Sequence, residues 1–522
     1  MNESHPKMQR GLVLLFSLVA SIAIGQSESP EQWYEQGQQV IESASVLKPV
    51  NQRAKNVILF VGDGMGVSTV TAARILEGQL RGKSGEENVL SFEALPYVAL
   101  SKTYNTNQQT PDSAGTMTAM MTGVKTKAGL IAVNQNVIRR NCASSKNNHL
   151  RTFLEETEST GRSTGIVTTA RLTHATPAST YAHVPERGWE DDHELTAEAK
   201  KNGCKDIAAQ LIEFPFGDGI EVAMGGGRRG FWPDTESDPE DSAEKGNRED
   251  GRNLTKAWLA RYKDAAFVWN KGQFDAINPA NTRHLLGLFN RSHMAYEVDR
   301  KRGPDGEPSL SEMTRKAIEV LHKNDKGFFL MVESGRIDHA HHAGNAYRAL
   351  TDTIEFAKAV KVGLEQTESN DTLILVTADH SHVFTISGYP TRGNPILGKV
   401  VGNDNSGNPK SSAALADDDK PYTTLGYQNG AGFAMLSDGE APNTRRPIVS
   451  GRVADLAQIN TKSPGFHQES LVPSNSETHG GEDVAVYAGG AGAYLLHGVI
   501  EQNVIYHLMR KAMAIPRIAE SK

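Results

Sequence analysis

The chain has 522 residues, 38% of them hydrophobic and 22% charged, with a formal net charge of −7 at pH 7. This balance belongs to a globular protein with an ample core and excludes a disordered chain. The acidic excess argues against nucleic acid as a partner.

Lys7 and Arg10 precede the apolar run GLVLLFSLVASIAIG, which gives way to the polar QSESPEQ. That is the order of a secretory signal, with cleavage expected near Gly25. The apolar run of about 14 residues falls short of the roughly 20 that a spanning helix needs. A signal peptide over residues 1–25 and export to the periplasm or the exterior are therefore expected. Without this leader the net charge becomes −8. The ending MRKAMAIPRIAESK carries no apolar stretch, so no membrane anchor is expected in the mature chain. Cys142 and Cys204 are the only cysteines. An oxidising compartment would let them pair, and two buried thiols are the alternative.

Length alone suggests about three domains. The pattern along the chain argues instead for one large domain over residues 26–522 with insertions. Four apolar, β-rich runs read as buried parallel strands: NVILFV (56–61), TGIVTT (164–169), GFFLMV (327–332) and TLILVT (372–377). Between them, SLSEMTRKAIEVLHKN and AYRALTDTIEFAKAVKVGLEQT carry apolar residues at helical spacing. Strand alternating with helix predicts an α/β fold, a doubly wound and mostly parallel sheet flanked by helices. Residues 225–251 and 389–475 break the alternation and read as surface insertions.

Each of the four strands is followed by groups able to bind metal or phosphate: Asp63, then His174 and Thr176, then Glu333, then Asp379 with His380. In open α/β sheets ligands bind beyond the carboxyl ends of the strands, so these distant residues are expected to converge. In ESGRIDHAHH, Asp338 and His342 are four apart and share a face if the segment is helical, as two zinc ligands would. In VTADHSH, Asp379 and His380 are adjacent, so both can ligate only from a turn. In VGDGMG, glycines flank Asp63 and permit close backbone approach. Ser113, in TPDSAGTMTAMMTG, opens a helix-like run. It is either an N-cap or a nucleophile held where free N–H groups meet a phosphate.

VGDGMG, DSAGT, THATPASTYAH, GCKDIA, GFFLMVESGRIDHAHH, VTADHSHVF and ETHGGEDVAVYA follow one another along the chain. In this order they resemble the alkaline phosphatase family, in the branch shared by animal tissue enzymes and secreted bacterial ones. The resemblance implies phosphomonoester hydrolysis through a phosphoserine on Ser113. It implies one Zn2+ held by Asp338, His342 and His479, and a second held by Asp63, Asp379 and His380. It implies Mg2+ at Asp63, Thr176 and Glu333, with His174 at the magnesium's water shell. Arg187, in PERGWE, matches the arginine that clamps phosphate. Cys142 and Cys204 match a family disulfide. Members are homodimers with a crown-like insertion, here about 389–475, and Tyr389 matches a tyrosine that reaches the partner's site. Animal members hold calcium with a Phe-Glu pair where this chain has Phe289 and Asn290, which puts that site in question.

Other readings keep the metals and change the chemistry. A sulfatase would need x-Pro-x-Arg after its nucleophile, whereas Ala-Gly-Thr-Met follows Ser113. A phosphodiesterase or nucleotide pyrophosphatase has less use for an arginine clamp, which suits a terminal phosphate. A secreted zinc-binding protein without catalysis would close its metals with four ligands, usually including cysteine.

Overall fold

The computed structural model describes residues 28–437 and 447–516. The expected leader lies outside the described residues. The chain divides into two units, one ending at Lys48 and one beginning at Pro49.

The first unit contains a helix, Pro30–Ser45, opened by Pro30 and by a reciprocal capping box between Ser29 and Gln32. None of its side chains is buried, so the apolar Tyr34, Val40 and Ile41 all face outward.

The second unit is built on ten strands: β1 (Asn56–Gly62), β2 (Tyr97–Lys102), β3 (Ser163–Arg171), β4 (Val222–Gly226), β5 (Ala265–Val268), β6 (His284–Leu288), β7 (Phe328–Ser334), β8 (Thr372–Ala378), β9 (Val484–Gly490) and β10 (Val499–Glu501). They form one sheet in the order β10-β2-β9-β8-β1-β7-β3-β4-β6-β5. The four apolar runs are its centre, β8-β1-β7-β3, all parallel. β9 runs antiparallel to both β8 and β2, which makes the sheet mixed.

Successive strand residues point to opposite faces, and both faces are covered. Val57, Leu59 and Val61 of β1 pack with Met117, Met120 and Phe153, while Ile58 and Phe60 pack with Val70, Leu76 and Phe356. The two predicted helices are Leu310–Leu321, opened by a Ser309–Glu312 capping box, and Ala346–Gln366, capped by Asn345.

The stretch 225–251 keeps most of residues 234–247 exposed, as expected of a surface insertion, but is anchored at two points. Arg228 and Arg248 are fully buried. Arg228 holds Asp238 at 2.7 Å and the Leu288 carbonyl at 2.9 Å, and Arg248 holds Asp206 at 3.0 Å. A buried guanidinium requires such partners, so this polar segment is fastened into the body by charge. Within 389–475 the described residues form loops with strands at Leu425–Gly430, Ala434–Met435, Phe466–His467 and Ser470–Pro473. Cys142 and Cys204 are joined as a disulfide across 62 positions, a closure that stabilises by about 4 kcal/mol in the loop-entropy account.

At the opposite end of β3 from the polar groups, two carboxyls are buried side by side. Glu158 accepts from Thr164 Oγ1 at 2.7 Å and Glu221 from the Thr164 N–H at 2.7 Å. Burial, then the Glu221 charge, pushes Glu158 up to about 10, and burial pushes Glu221 up to about 7. Folded pKa values above the unfolded value mean that the native state binds more protons, so this pair's contribution falls as pH rises from about 4.5 toward 10. Glu158→Gln is therefore expected to melt about 2 °C or more above the parent near pH 10, with a smaller difference near pH 6. Parallel melting curves of the two proteins across that range would rule out the pair as an alkaline weak point.

Candidate metal centre

The carboxyl ends of β1, β7 and β8 deliver Asp63, Glu333 and Asp379 to one place, and all three are fully buried. Asp379 and His380 occupy the turn between β8 and the short strand Ser381–His382, which is what lets neighbouring residues face the same cluster. Gly64 holds the β1 turn with φ of 68°, its N–H donating to Asp379 Oδ1 at 3.0 Å. A Cβ on Gly64 would lie 2.4 Å from the His382 ring, so this position requires glycine.

Asp338 and His342 come from the helix Arg336–His342, and His479 from the strand His479–Gly480 paired with Ser381–His382. His342 Nε2 and His479 Nε2 each lie 3.4 Å from Asp338 Oδ1 and 3.1 Å from one another. Their other nitrogens are committed to backbone acceptors. His342 Nδ1 meets the Glu477 carbonyl at 2.6 Å and His479 Nδ1 the Pro111 carbonyl at 2.8 Å. A carbonyl only accepts, so Nδ1 carries the proton and the Nε2 lone pairs face each other. His380 repeats the device. Its Nδ1 meets the Ser381 carbonyl at 3.2 Å, and its Nε2 lies 3.4 Å from both Asp63 Oδ1 and Asp379 Oδ2.

Residue groups expected from the sequence are thus brought together: Asp338, His342 and His479; Asp63, Asp379 and His380; and Asp63 with Glu333, while Thr176 is buried on the short helix Ala175–Ala178. His174 joins the third group, with a ring nitrogen within 4.8 Å of carboxylate oxygens of Asp63 and Glu333. Asp63 Oδ2, Thr176 Oγ1, Glu333 Oε1 and His174 Nδ1 have no hydrogen-bond partner among the described residues. Buried polar atoms are normally satisfied. Orphans of this kind, beside crowded carboxylates, fit bound cations.

Burial, then Asp379, Asp338 and Glu333, pushes Asp63 well above the usual carboxylate range. Burial likewise pushes Glu333 up to about 7. Asp338 is the exception: burial opposes its charge, but His342, His382 and His479 outweigh it and hold the carboxyl well below that range.

Ser113 is the first residue of the helix Ser113–Thr122, but its cap is Asp112, which accepts from the Gly115 N–H at 3.1 Å. The capping alternative for Ser113 therefore falls to its neighbour. Ser113 Oγ instead lies 3.2 Å from His380 Nε2 and 3.5 Å from Asp63 Oδ1. Arg187 Nη1 donates to Asp112 Oδ2 at 3.1 Å, and Nη2 lies 3.3 Å from His174 Nε2. The guanidinium is thus held by the carboxylate of Asp112, the residue just before Ser113, which also caps the serine's helix. Tyr389 stands apart, 93% exposed. Asn290, at the questioned calcium position, donates to Glu307 at 2.7 Å.

Sequence reasoning missed His382 and Glu477. His382 Nε2 lies 2.9 Å from Asp338 Oδ1 and Nδ1 2.5 Å from Glu477 Oε2. Burial alone would keep this imidazole neutral, but the two carboxylates push it up to about 10. It meets the same Asp338 oxygen that faces His342 and His479, and it groups with Asp338, His380 and His479. The second histidine of ADHSH was the available signal.

Carboxylates and imidazoles gathered around a buried serine at the carboxyl edge of an α/β sheet define a metal-dependent hydrolytic centre. The alkaline phosphatase family profile matches residues 54–515. The chain is 45% identical to the tissue-nonspecific alkaline phosphatase of Gallus gallus, over 97% of this chain and 93% of that one. It is 44% identical to the Homo sapiens isozyme, over 95% and 91%, and 43% identical to the alkaline phosphatase of Gadus morhua, over 94% and 98%. Among solved structures, the alkaline phosphatase of Thermus thermophilus superposes with a TM-score of 0.60 at 25% identity, covering 90% of this chain and 93% of that one. That of the Antarctic bacterium TAB5 superposes at 0.58 with 20% identity, covering 89% and 100%, a likeness of fold. The chain belongs to the alkaline phosphatase family and is a hydrolase of phosphate monoesters.

Proposed function

We propose that Ser113 is the nucleophile, that Asp338, His342 and His479 hold one Zn2+ and Asp63, Asp379 and His380 a second, and that Asp63, Thr176 and Glu333 hold Mg2+ with His174 beside it. The observation that carries this reading is the convergence of Nε2 lone pairs on carboxylate oxygens next to Ser113 Oγ. Mixed imidazole and carboxylate sets suit zinc, and a set rich in oxygen suits magnesium. When bound, these cations supply Lewis acidity and offset the charge of the buried carboxylates.

The chain's own groups do the rest. Ser113 Oγ gives up its proton to solvent and bonds to phosphorus as the ester P–O bond breaks, and the alcohol leaves with a proton taken back from solvent. Water then adds to phosphorus, the P–Oγ bond breaks, and the serine hydroxyl and free phosphate are restored. Asp112 keeps Arg187 aimed at the phosphoryl oxygens, where a planar fork neutralises charge on two of them. Low exposure of Ser113 keeps bulk water from the nucleophile. A terminal phosphate offers Arg187 two free oxygens, so p-nitrophenyl phosphate is expected to be turned over at least about a hundredfold faster than bis(p-nitrophenyl) phosphate. Equal rates on the two esters would favour the diesterase alternative.

Export and a homodimer complete the reading, with residues 389–475 as a crown and Tyr389 reaching the partner subunit. The exposure of Tyr389, the apolar residues on the helix Pro30–Ser45, and the outward Val98, Leu100 and Val499 support a covering second copy. Light scattering is expected to give twice the chain mass; a single-chain mass at micromolar concentration would count against it.

A further inference from the structure

A cleft of about 570 Å³ lies beside the Cys142–Cys204 disulfide. Its volume falls in the range of small-molecule sites, which runs from about 300 to 1,000 Å³. None of the residues of the Ser113 cluster lines it.

Its floor is apolar and aromatic, from Leu150, Tyr181, Pro215 and Phe216. One wall is the flat face of His149, which stacks on His183 with ring centroids 4.8 Å apart and planes 7° from parallel. The charges around the floor are unequal. Glu155 is satisfied by His183 at 2.7 Å and the Thr152 N–H at 2.9 Å, and Glu213 by Lys205 and Arg252, each at 2.7 Å. Lys146 and Arg151 have no ion pair among the described residues. Arg151 lies over the Phe216 ring at 4.2 Å; its Nη2 donates to Ser159 Oγ and to the Glu155 carbonyl at 3.5 Å, while its buried Nε has no hydrogen-bond partner among the described residues. A guanidinium parked on an aromatic ring with an idle buried donor is poised for an anion, and the adjacent rings favour a flat apolar body.

We propose that this cleft binds a small aromatic anion, its ring between His149 and Phe216 and its charged group on Arg151 and Lys146. The ligand is defined by chemistry: one planar ring system bearing a single carboxylate, sulfonate or phosphate. It is a second site, separate from phosphoester cleavage.

The test is a fluorescence titration of the metal-loaded protein with anilinonaphthalene sulfonate, the catalytic centre being kept filled with saturating inorganic phosphate. One probe per chain is expected. Arg151→Gln and Lys146→Gln together are expected to weaken binding about tenfold or more. The uncharged phenylnaphthylamine should bind weaker by a similar factor, and turnover of p-nitrophenyl phosphate by Lys146→Gln should match the parent. Lys146 is exposed, so Lys146→Glu carries the test if Arg151→Gln fails to fold. Sulfonate binding that ignores these substitutions, or equal binding of the uncharged probe, would overturn the assignment.

Discussion

Ser113→Ala is expected to lower turnover of p-nitrophenyl phosphate by about a thousandfold or more, with melting temperature within about 2 °C of the parent. The two halves of that expectation have separate grounds. The hydroxyl is the only polar group the substitution removes, and its neighbours are His380 Nε2 and Asp63 Oδ1, which also face each other. The helix does not depend on it, because Asp112 makes the cap. Loss of the nucleophile leaves Arg187 and the metal ligands in place, so inorganic phosphate should still bind with affinity similar to that of the parent. Retention of more than about a tenth of the parent rate would remove Ser113 from the bond-forming role.

Asp63→Asn comes next in size, because Asp63 belongs both to the group with Asp379 and His380 and to the group with His174 and Glu333. An amide cannot replace a carboxylate toward two cations, so kcat/KM is expected to fall by about a hundredfold to ten-thousandfold, with metal content reduced. The stability result distinguishes ligand from scaffold. Asp63, Glu333, Asp338 and Asp379 are buried together, and without cations their like charges repel. After chelation the variant is therefore expected to melt at or above the chelated parent, while the loaded variant melts below the loaded parent. A variant less stable in both forms would make Asp63 a structural residue and not a ligand.

The centre of the fold was legible because parallel strands buried on both faces read as unbroken apolar runs, as β1, β3, β7 and β8 do. The flanking strands were not. β4 and β6 are five residues each and contain glycine, and β9 ends in Ala-Gly-Gly, so neither run length nor alternation marks them. At the site, the proposed ligands that follow strands were legible from position, and the others from motif order. His382 and Glu477 were not, because their role is set by a pairing across 95 positions. The Glu158–Glu221 pair was hidden for the same reason. Nothing local to a lone glutamate in a short helix announces a second carboxyl 63 residues on. Arg228 and Arg248 were hidden likewise: the charged, glycine-rich composition pointed to the exposed loop that residues 234–247 form, but not to the two arginines whose partners draw them inside.

The lone pairs of His342, His380 and His479 are aimed by carbonyls of residues 477, 381 and 111, on separate stretches of chain. No fragment of the polypeptide therefore contains a preorganised site, in contrast to domains whose ligands sit on one short hairpin and whose folding is driven by the ion. Under the proposed ligand assignment, cation uptake comes late, after strands far apart in sequence have met. On the proposed metal reading a nascent chain stays metal-poor and catalytically silent, and the appearance of activity during refolding is expected to report the completion of the last long-range contacts.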